Sequence, residues 1–264
     1  MGSNMTTKIE IKSLYKIFGS DPAAMMEKVR DGMTKERLND EYNHVLGLNN
    51  INLEIPEQGI QVVMGLSGSG KSTLIRHINR LIEPTSGEVW IDGVNVLSMS
   101  ESELRDFRRQ RASMVFQKFA LLPHRTVLEN TQYGLEIQGM SDKEARQRAC
   151  HWIERVGLAG YEENYPGQLS GGMQQRVGLA RALATDADIL LMDEAFSALD
   201  PLIRTDMQNI LLDLQSELKK TIVFITHDLE EALRIGDRIA ILRDGRVIQQ
   251  GTPQQIVLKP KDDY

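Results

Sequence analysis

The residues Gly-Leu-Ser-Gly-Ser-Gly-Lys-Ser at positions 65–72 come directly after a short apolar run, Gln61–Met64, and directly before a helical pattern. A glycine-rich loop of this spacing between a strand and a helix is typical of a phosphate-binding loop. Glycines let the backbone pass close to phosphate, and the loop N–H groups and the positive end of the helix then face the anion. The loop is therefore predicted to bind a nucleoside triphosphate through Ser67, Gly68, Ser69, Gly70, Lys71, Ser72 and Thr73.

Two side chains of this loop have individual predicted roles. Lys71 is expected to bridge the β- and γ-phosphates, because lysine at this position of the motif reaches both groups. The Ser72 hydroxyl is expected to ligate Mg²⁺. The sequence thus predicts a nucleoside triphosphate and Mg²⁺ at the start of the helix that follows.

Short β-branched runs alternate with helical patterns along the chain, which indicates an α/β fold with an antiparallel portion on the N-terminal side. Ile189–Met192 and Ile222–Thr226 are almost continuously apolar, as expected of strands buried on both faces of a mostly parallel sheet. Asp244–Gly245 predicts a hairpin between two further strands. The predicted strands are Lys8–Leu14, Ile51–Ile55, Gln61–Met64, Val89–Ile91, Ala112–Phe116, Ile189–Met192, Ile222–Thr226, Ile239–Arg243 and Arg246–Gln250, and the predicted helices are Ser72–Leu81, Pro201–Leu218 and Leu229–Ile235.

Two mostly helical segments interrupt this α/β pattern. Residues 100–165 are predicted to form a helical subdomain inserted in a single domain, whose α/β core is then 1–99 and 166–264. Residues 19–45 are predicted to form a second, smaller helical insertion.

Local signals give a prediction for this smaller insertion. Asp21 is expected to cap its first helix, with Pro22 at the first helical position and Gly32 near its end. A second short helix is expected after Thr34. The first helix is predicted to carry one apolar stripe, formed by Ala24, Met25, Val29 and Met33.

The apolar run Ile189–Met192 ends in two carboxylates, Asp193 and Glu194. Adjacent residues of a strand point to opposite sides, so the two carboxylates can have different roles. Asp193 is predicted to hold the Mg²⁺ shell. Glu194 is predicted to orient and deprotonate the attacking water as a general base.

A second anion-binding device lies at Leu169–Gln175, whose sequence is Leu-Ser-Gly-Gly-Met-Gln-Gln. Ser170 is a natural N-cap, and Gly171 and Gly172 leave backbone N–H groups uncovered at the positive end of a helix that runs to Ala184. Two such helix ends in one small domain are consistent with contacts to two faces of one nucleotide.

With this segment the chain resembles the ABC (ATP-binding cassette) ATPase family, whose signature it matches except for Met173, where glutamine is commoner. The resemblance implies a P-loop NTPase fold with a mixed sheet and a head-to-tail dimer of two copies. In that dimer the Ser170, Gly171 and Gly172 of one copy contact the nucleotide on the other copy.

The resemblance also implies roles for four further residues. Gln117 matches the glutamine that contacts Mg²⁺ and water, and His227 matches the switch histidine that contacts the γ-phosphate and positions Glu194. Asp200 belongs to the Ser197–Asp200 segment that crosses the dimer interface. Phe18 is expected to stack on adenine.

Three longer segments are similar to the ATPase subunits of glycine betaine/proline betaine importers, as is the insertion after Phe18. The segments are Arg80–Thr85, Met192–Arg204 and Arg234–Ile239. The similarity implies uptake of a quaternary or methylated amine of the glycine betaine, choline, carnitine or trimethylamine N-oxide type. The C-terminal pair of CBS domains that many relatives carry is not found in these 264 residues.

The resemblance implies partners and a location as well. The expected partners are a second copy, transmembrane permease subunits that contact Phe119–His124, and a substrate-binding protein that acts indirectly. An ordinary apolar turn packed inside the helical subdomain is the alternative for Phe119–His124. We expect the chain on the cytoplasmic side of the cell membrane, held there by the permease.

Composition limits the alternatives. The chain carries a formal net charge of −6, which argues against general binding to nucleic acid, and its single cysteine excludes an internal disulfide. It has neither an apolar stretch of membrane-spanning length nor a signal-peptide pattern. An ABC ATPase of another transporter class, a soluble non-transport ABC ATPase and a regulatory subunit that binds ATP without hydrolysing it remain as alternatives.

Overall fold

The structure, a computed structural model, describes residues 6–117 and 119–261. The chain forms two compact units. Of the described residues, the first unit contains those up to Leu104 and those from Ile225 onward, and the second contains those between Arg105 and Phe224. The predicted mixed α/β fold with an antiparallel N-terminal portion is confirmed. The domain limits expected from sequence stay predictions.

The N-terminal part of the first unit is an antiparallel sheet with the strand order β2-β1-β4-β5. Both β1 and β2 are longer than predicted. Register shifts beyond Ile11 break the alternation of β1, after which Ile17 rejoins the buried face. The strands are β1 (Thr7–Phe18), β2 (Val45–Pro56), β4 (Ser86–Ile91) and the unpredicted two-residue β5 (Val94–Asn95).

The other strands of the first unit support the phosphate-binding loop. β3 (Ile60–Met64) is buried at all five residues and pairs in parallel with β9 (Arg238–Arg243). A turn at Asp244–Gly245 joins β9 to the antiparallel β10 (Arg246–Gly251), as predicted. Both turn residues have positive φ, 48° and 75°, which suits a tight hairpin turn. The helices packed here are α3 (Lys71–Ile78), α9 (Leu229–Ile235) and α10 (Pro253–Leu258).

The insertion after Phe18 contains α1 (Met26–Arg30) and α2 (Lys35–Tyr42). Thr34 caps α2 by accepting a hydrogen bond from the N–H of Arg37, as expected. The predicted cap at Asp21 is wrong: its Oδ1 accepts from the N–H of Ala24, so it stabilises the turn that precedes α1.

The predicted apolar stripe of this insertion needs correction as well. Ala24 is exposed, and the side chains that become buried are Met26 and Val29. They join Leu38 of α2, Ile17 of β1 and Leu46 of β2 in one core cluster, against which Met25 and Met33 pack with part of their surface. The core fixes the insertion to the first two strands.

The second unit packs helices against two parallel strands, β6 (Ala112–Phe116) and β7 (Ile189–Asp193). Its largest fully buried side chains are Phe196 and Phe224, whose ring centroids lie 5.4 Å apart. β8 (Thr221–Thr226) begins in this unit and continues into the first. The helices are α4 (Glu101–Gln110, whose first residues belong to the first unit), α5 (Val127–Ile137), α6 (Asp142–Arg155), α7 (Gly171–Ala184) and α8 (Pro201–Leu218).

The packing of α7 is central to the second unit. It contacts α5, α6, α8 and β6, so that the segment that opens α7 is held by most of the unit. Across residues 6–117 and 119–261, no helix combines the length and the apolar character needed to cross a membrane.

Candidate functional site

The glycine-rich loop forms a cradle between β3 and α3. Lys71, only 4% exposed, donates hydrogen bonds from Nζ to the carbonyl oxygens of Gly65 (2.8 Å) and Leu66 (3.0 Å). The N–H of Gly245, in the β9–β10 turn, donates to the carbonyl of Ser69 (3.0 Å). Carbonyl groups on both sides of the loop are therefore held by donors within the first unit.

The loop fits a phosphate chain in two respects. Leu66, Ser67 and Gly68 are exposed, and a Cβ on Gly68 would have open space around it within 4 Å. The Ser69 hydroxyl is buried and has no hydrogen-bond partner in the part of the chain that the structure describes. A buried hydroxyl without a partner costs free energy, and a ligand oxygen at this position would satisfy it.

Close packing of backbone fixes the loop from behind. A Cβ on Gly65 would lie 2.2 Å from the carbonyl oxygen of Leu242, and a Cβ on Gly70 would lie 2.6 Å from that of Gly47. A Cβ on Gly245 would lie 2.8 Å from the same Gly47 oxygen. Real Cβ atoms do not approach other atoms this closely, so the packing of the loop requires glycine at these three positions.

Phe18, the predicted adenine platform, ends β1 and is 39% exposed. A Cβ on Gly47 would come within 2.7 Å of its ring, so Phe18 and Gly70 both lie against residue 47. The Lys16 ammonium lies 5.0 Å from the centroid of the Phe18 ring, a cation–π distance. An exposed aromatic face thus lies beside the start of α3, where a nucleotide base is expected.

Glu194 follows β7 in a left-handed conformation, with φ of 47°, which costs a non-glycine residue about 1–2 kcal/mol. Ser197 stabilises this turn, since its Oγ donates to the Glu194 carbonyl (2.9 Å). Gln117 Nε2 lies 3.4 Å from Glu194 Oε2 and 3.2 Å from Ser197 Oγ. Asp193 is 3% exposed. The second unit therefore brings together Gln117, Glu194 and Ser197 at a strained turn, as is common at active sites.

The signature segment opens α7 as predicted. The Ser170 hydroxyl accepts from the N–H of Met173 (3.3 Å), and Gly171 is exposed. A Cβ on Gly172 would lie 2.5 Å from Cγ2 of Ile203 in α8. Asp200 caps α8, because its Oδ1 accepts from the N–H groups of Leu202 and Ile203.

Arg181, further along α7, holds the segment that follows Gln117. Its guanidinium donates to the carbonyl oxygens of Ala120 (2.8 Å) and Phe119 (3.1 Å). Both of these residues have left-handed φ, 48° and 55°. Burial lowers the pKa of Arg181, although guanidinium groups stay charged in proteins.

His227 is exposed at the end of β8, just before Asp228 caps α9. It belongs to the first unit together with the phosphate-binding loop and Phe18, whereas the residues around Gln117, Glu194 and Ser170 belong to the second. Within the described ranges, no group of three or more His, Cys, Asp or Glu side chains could hold a metal ion. The predicted Mg²⁺ ligands Ser72, Gln117 and Asp193 include only one carboxylate, a donor set that suits an ion also bound by phosphate oxygens.

Sequence reasoning missed three contributors to these arrangements. In the sequence, Ser197 is only one member of the Ser197–Asp200 segment, and Arg181 has no predicted role. Lys35 of the insertion was not singled out, although it donates to the carbonyl of Gly68 in the loop. A lysine at the first position of a helix is an unfavourable placement, and this was the available signal for Lys35.

A strand, a glycine-rich loop and a helix that begins at the loop lysine define a P-loop nucleotide-binding protein. The sequence model of the ABC transporter family matches residues 48–197. The chain belongs to this ABC transporter family, as its resemblance indicated.

Curated relatives are similar over nearly the whole chain. The glycine betaine transport ATP-binding protein OpuAA of Bacillus subtilis is 56% identical over 257 residues, which cover 97% of this chain and 62% of OpuAA. The trimethylamine N-oxide transport ATP-binding protein TmoW of Pelagibacter ubique is 49% identical, over 97% of this chain and 75% of TmoW. The chain thus spans less than two thirds of the length of the glycine betaine relatives.

A solved structure agrees with the fold. A dimeric ATP-binding cassette in a post-hydrolysis state, bound to ADP and Pi, matches with a TM-score of 0.78 and 35% sequence identity. The match covers 93% of this chain and 98% of that one.

Proposed function

We propose that this chain is the ATP-hydrolysing subunit of an importer for a quaternary or methylated amine, such as glycine betaine, choline, carnitine or trimethylamine N-oxide. The observation that carries the ATPase assignment is the contact of Gln117 with both Glu194 and Ser197, in a chain that also has a complete phosphate-binding loop. The names of the relatives support the importer class and its substrates.

In this proposal the nucleotide is held by residues of the loop and by Phe18. The loop N–H groups and Lys71 bind the phosphates, the Ser69 hydroxyl gains a partner, and the Phe18 ring stacks on adenine. Ser72, Gln117 and Asp193 would hold Mg²⁺, whose positive charge would offset the negative charge of the triphosphate.

Hydrolysis then requires a base and two orienting groups. Glu194 accepts a proton from the attacking water, whose oxygen forms a bond to the γ-phosphorus. The bond from that phosphorus to the bridging oxygen breaks, and ADP leaves with the electron pair. Gln117 and His227 orient the water and the γ-phosphate, and Gln117 Nε2 also donates a hydrogen bond of 3.4 Å to the Glu194 carboxylate.

We propose a head-to-tail dimer as the active form. The exposed start of α7, with Ser170, Gly171 and Gly172, binds the nucleotide held by a second copy, and Asp200 lies at the same interface. An uncovered helix N-terminus suits a γ-phosphate, because both its N–H groups and its dipole favour an anion. The dimeric state of the related solved cassette supports this arrangement.

The remaining partners follow from the importer class. Permease subunits contact residues 119–124, and the chain lies on the cytoplasmic side of the membrane through that contact. The substrate-binding protein acts through the permease and does not contact this chain. Nucleic acid is not a partner, in keeping with the net charge of −6.

A phosphate-release assay with matched variants tests the ATPase assignment. We expect Glu194→Gln to bind ATP and to form dimers, while its turnover falls by a factor of about 10² or more, as is usual when a general base is lost. Glu101→Gln, a change of the same kind at an exposed position of α4, is the control and should match the wild type. Normal turnover by Glu194→Gln would remove Glu194 from the role of base.

A transport assay tests the importer class separately. The chain, its permease and the binding protein are reconstituted in liposomes, and ATP-dependent uptake of labelled glycine betaine is measured with Glu194→Gln as the inactive control. Co-purification of an active ATPase with ribosomes or DNA, without a membrane protein, would favour a soluble ABC ATPase over this proposal.

A further inference from the structure

The insertion after Phe18 reaches the phosphate-binding loop through the side chain of Lys35. Its Nζ donates a hydrogen bond of 3.3 Å to the carbonyl oxygen of Gly68. Gly68 has φ of +77° and is exposed, so the contact is made at the open middle of the loop. The insertion therefore brings a positive charge to the loop that is predicted to bind a triphosphate.

The position of Lys35 has no explanation within its own helix. It is the first residue of α2, where the partial positive charge of the helix end disfavours a cation. The next residue is Glu36, an acid of the kind that this end favours. The bond to the Gly68 carbonyl offsets the unfavourable placement.

The backbone of Lys35 is held firmly enough for the contact to be specific. Leu38, one turn along α2, is completely buried, and Val29 of α1 is 3% exposed. Both pack with Ile17 and Leu46 from the first two strands. Because this core packs α2 on β1 and β2, the side chain of Lys35 reaches the loop from a backbone that is anchored to the sheet.

The bond from Lys35 completes the support of the loop. Lys71 holds the carbonyls of Gly65 and Leu66, and Gly245 holds that of Ser69. The Gly68 carbonyl lies between these supported positions in the sequence and is held from the insertion. A peptide plane fixed through its oxygen cannot rotate freely, so the loop stays shaped for its ligand before that ligand binds.

We infer that Lys35 is a positioning residue for nucleotide binding: its ammonium group fixes the Gly68 peptide and adds positive charge beside the bound triphosphate. This inference rests on the proposed function, since it assumes that ATP occupies the loop. It gives the insertion a role in nucleotide affinity.

The test compares Lys35→Met, Lys35→Gln and Lys35→Arg with Arg37→Gln. Arg37 is an exposed cation of the same helix that pairs with Glu41, so it controls for the loss of one charge. We expect Lys35→Met and Lys35→Gln to raise the KM for ATP about threefold to tenfold, with kcat within about twofold of the wild type. Lys35→Arg should restore KM, and the effect should shrink between about 50 and 500 mM salt, since added ions screen exposed charges.

Two results would overturn the inference. One is a KM for Lys35→Met and Lys35→Gln equal to those of the wild type and Arg37→Gln. The other is an equal rise in KM for Arg37→Gln, which would make the effect one of general charge. If the wild-type chain released no phosphate, the proposed function would fail. A fluorescent ATP analogue would then still test Lys35 through the dissociation constant.

Discussion

An alanine at position 172 would place a methyl carbon 2.5 Å from Cγ2 of Ile203. Carbon atoms in contact lie about 3.5–4.0 Å apart, so the first turns of α7 and α8 would have to separate by about 1 Å. Ile203 cannot move freely, because its N–H is bound by the Asp200 cap. Overpacking of this kind costs about 1–3 kcal/mol, and we expect Gly172→Ala to lower the free energy of unfolding by that amount.

The double variant Gly172→Ala/Ile203→Ala shows whether the clash with Ile203 is the reason that alanine at position 172 destabilises the fold. Once Ile203 is shortened, alanine at 172 has room, and it favours a helix over glycine by about 0.5–1 kcal/mol. Relative to Ile203→Ala alone, the second substitution is therefore expected to be neutral or stabilising. Urea unfolding of the wild type, Gly172→Ala, Ile203→Ala and the double variant gives the coupling energy between the two sites. The double variant should be about 2 kcal/mol more stable than the sum of the two single effects predicts.

Phosphate release by the same four proteins extends the test to function. The methyl group at 172 faces Ile203, so the stable double variant should keep most of the activity of Ile203→Ala. Gly171→Ala is the control for stability. Its Cβ would meet Phe119 Cζ at an ordinary 3.8 Å, so its free energy of unfolding should stay close to that of the wild type. A double variant as unstable as the sum of its parts would refute the packing explanation of Gly172.

Substitutions at three further positions test other parts of the structure. Arg181→Met removes the donors to the Phe119 and Ala120 carbonyls, so the free energy of unfolding should fall by about 1–3 kcal/mol. Amide hydrogen exchange in residues 119–122 should become faster, and unchanged exchange would contradict this. Burial, with a smaller effect of Lys16, lowers the pKa of His77 below 6.5, so its unfolded form gains a proton first as pH falls. The free energy of unfolding should therefore fall below pH 6.5 in the wild type and less in His77→Gln; parallel pH curves would refute it. Asp200→Ala removes the cap of α8 and should lower the free energy of unfolding, measured with urea, by about 0.5–2 kcal/mol. Asp200→Asn should lower it much less, because asparagine also caps helices; an equal decrease for both variants would exclude capping as the cause.

Local chemistry explains what the sequence predicted well. The start of helix α8 is predicted correctly, because Asp200 and Pro201 form a strong start signal. The Asp244–Gly245 turn was equally clear, since few residue pairs tolerate two positive φ values. The glycine-rich loop specifies its own backbone and chemistry, so the phosphate-binding loop needed no tertiary information.

The start of α1 was predicted wrongly because Asp followed by Pro is a signal for a turn as well as for a helix cap. Tertiary burial decides between the two, and here Met26 and Val29 are the residues that reach the core. The lengths of β1 and β2 are underestimated from the sequence, because register shifts between these strands break the alternation of apolar and polar residues by which a strand is recognised.

The contacts around the candidate site were beyond prediction from sequence for a different reason. Lys35 and Gly68 are 33 residues apart, and Arg181 and Ala120 are 61 apart, so no local period connects them. The left-handed φ of Glu194 is imposed by its surroundings, since glutamate has no preference for it. Such features depend on the three-dimensional fold of each unit.

The Gly47 carbonyl, approached closely by Gly70 and Gly245, has a consequence for inhibitor design. A compound bound in the loop would contact main-chain N–H groups as well as side chains, and no substitution other than proline removes a main-chain N–H. Drug resistance by point mutation would then have to arise where a side chain supplies part of the contact, as Lys71 does within the loop and Phe18 does beside it.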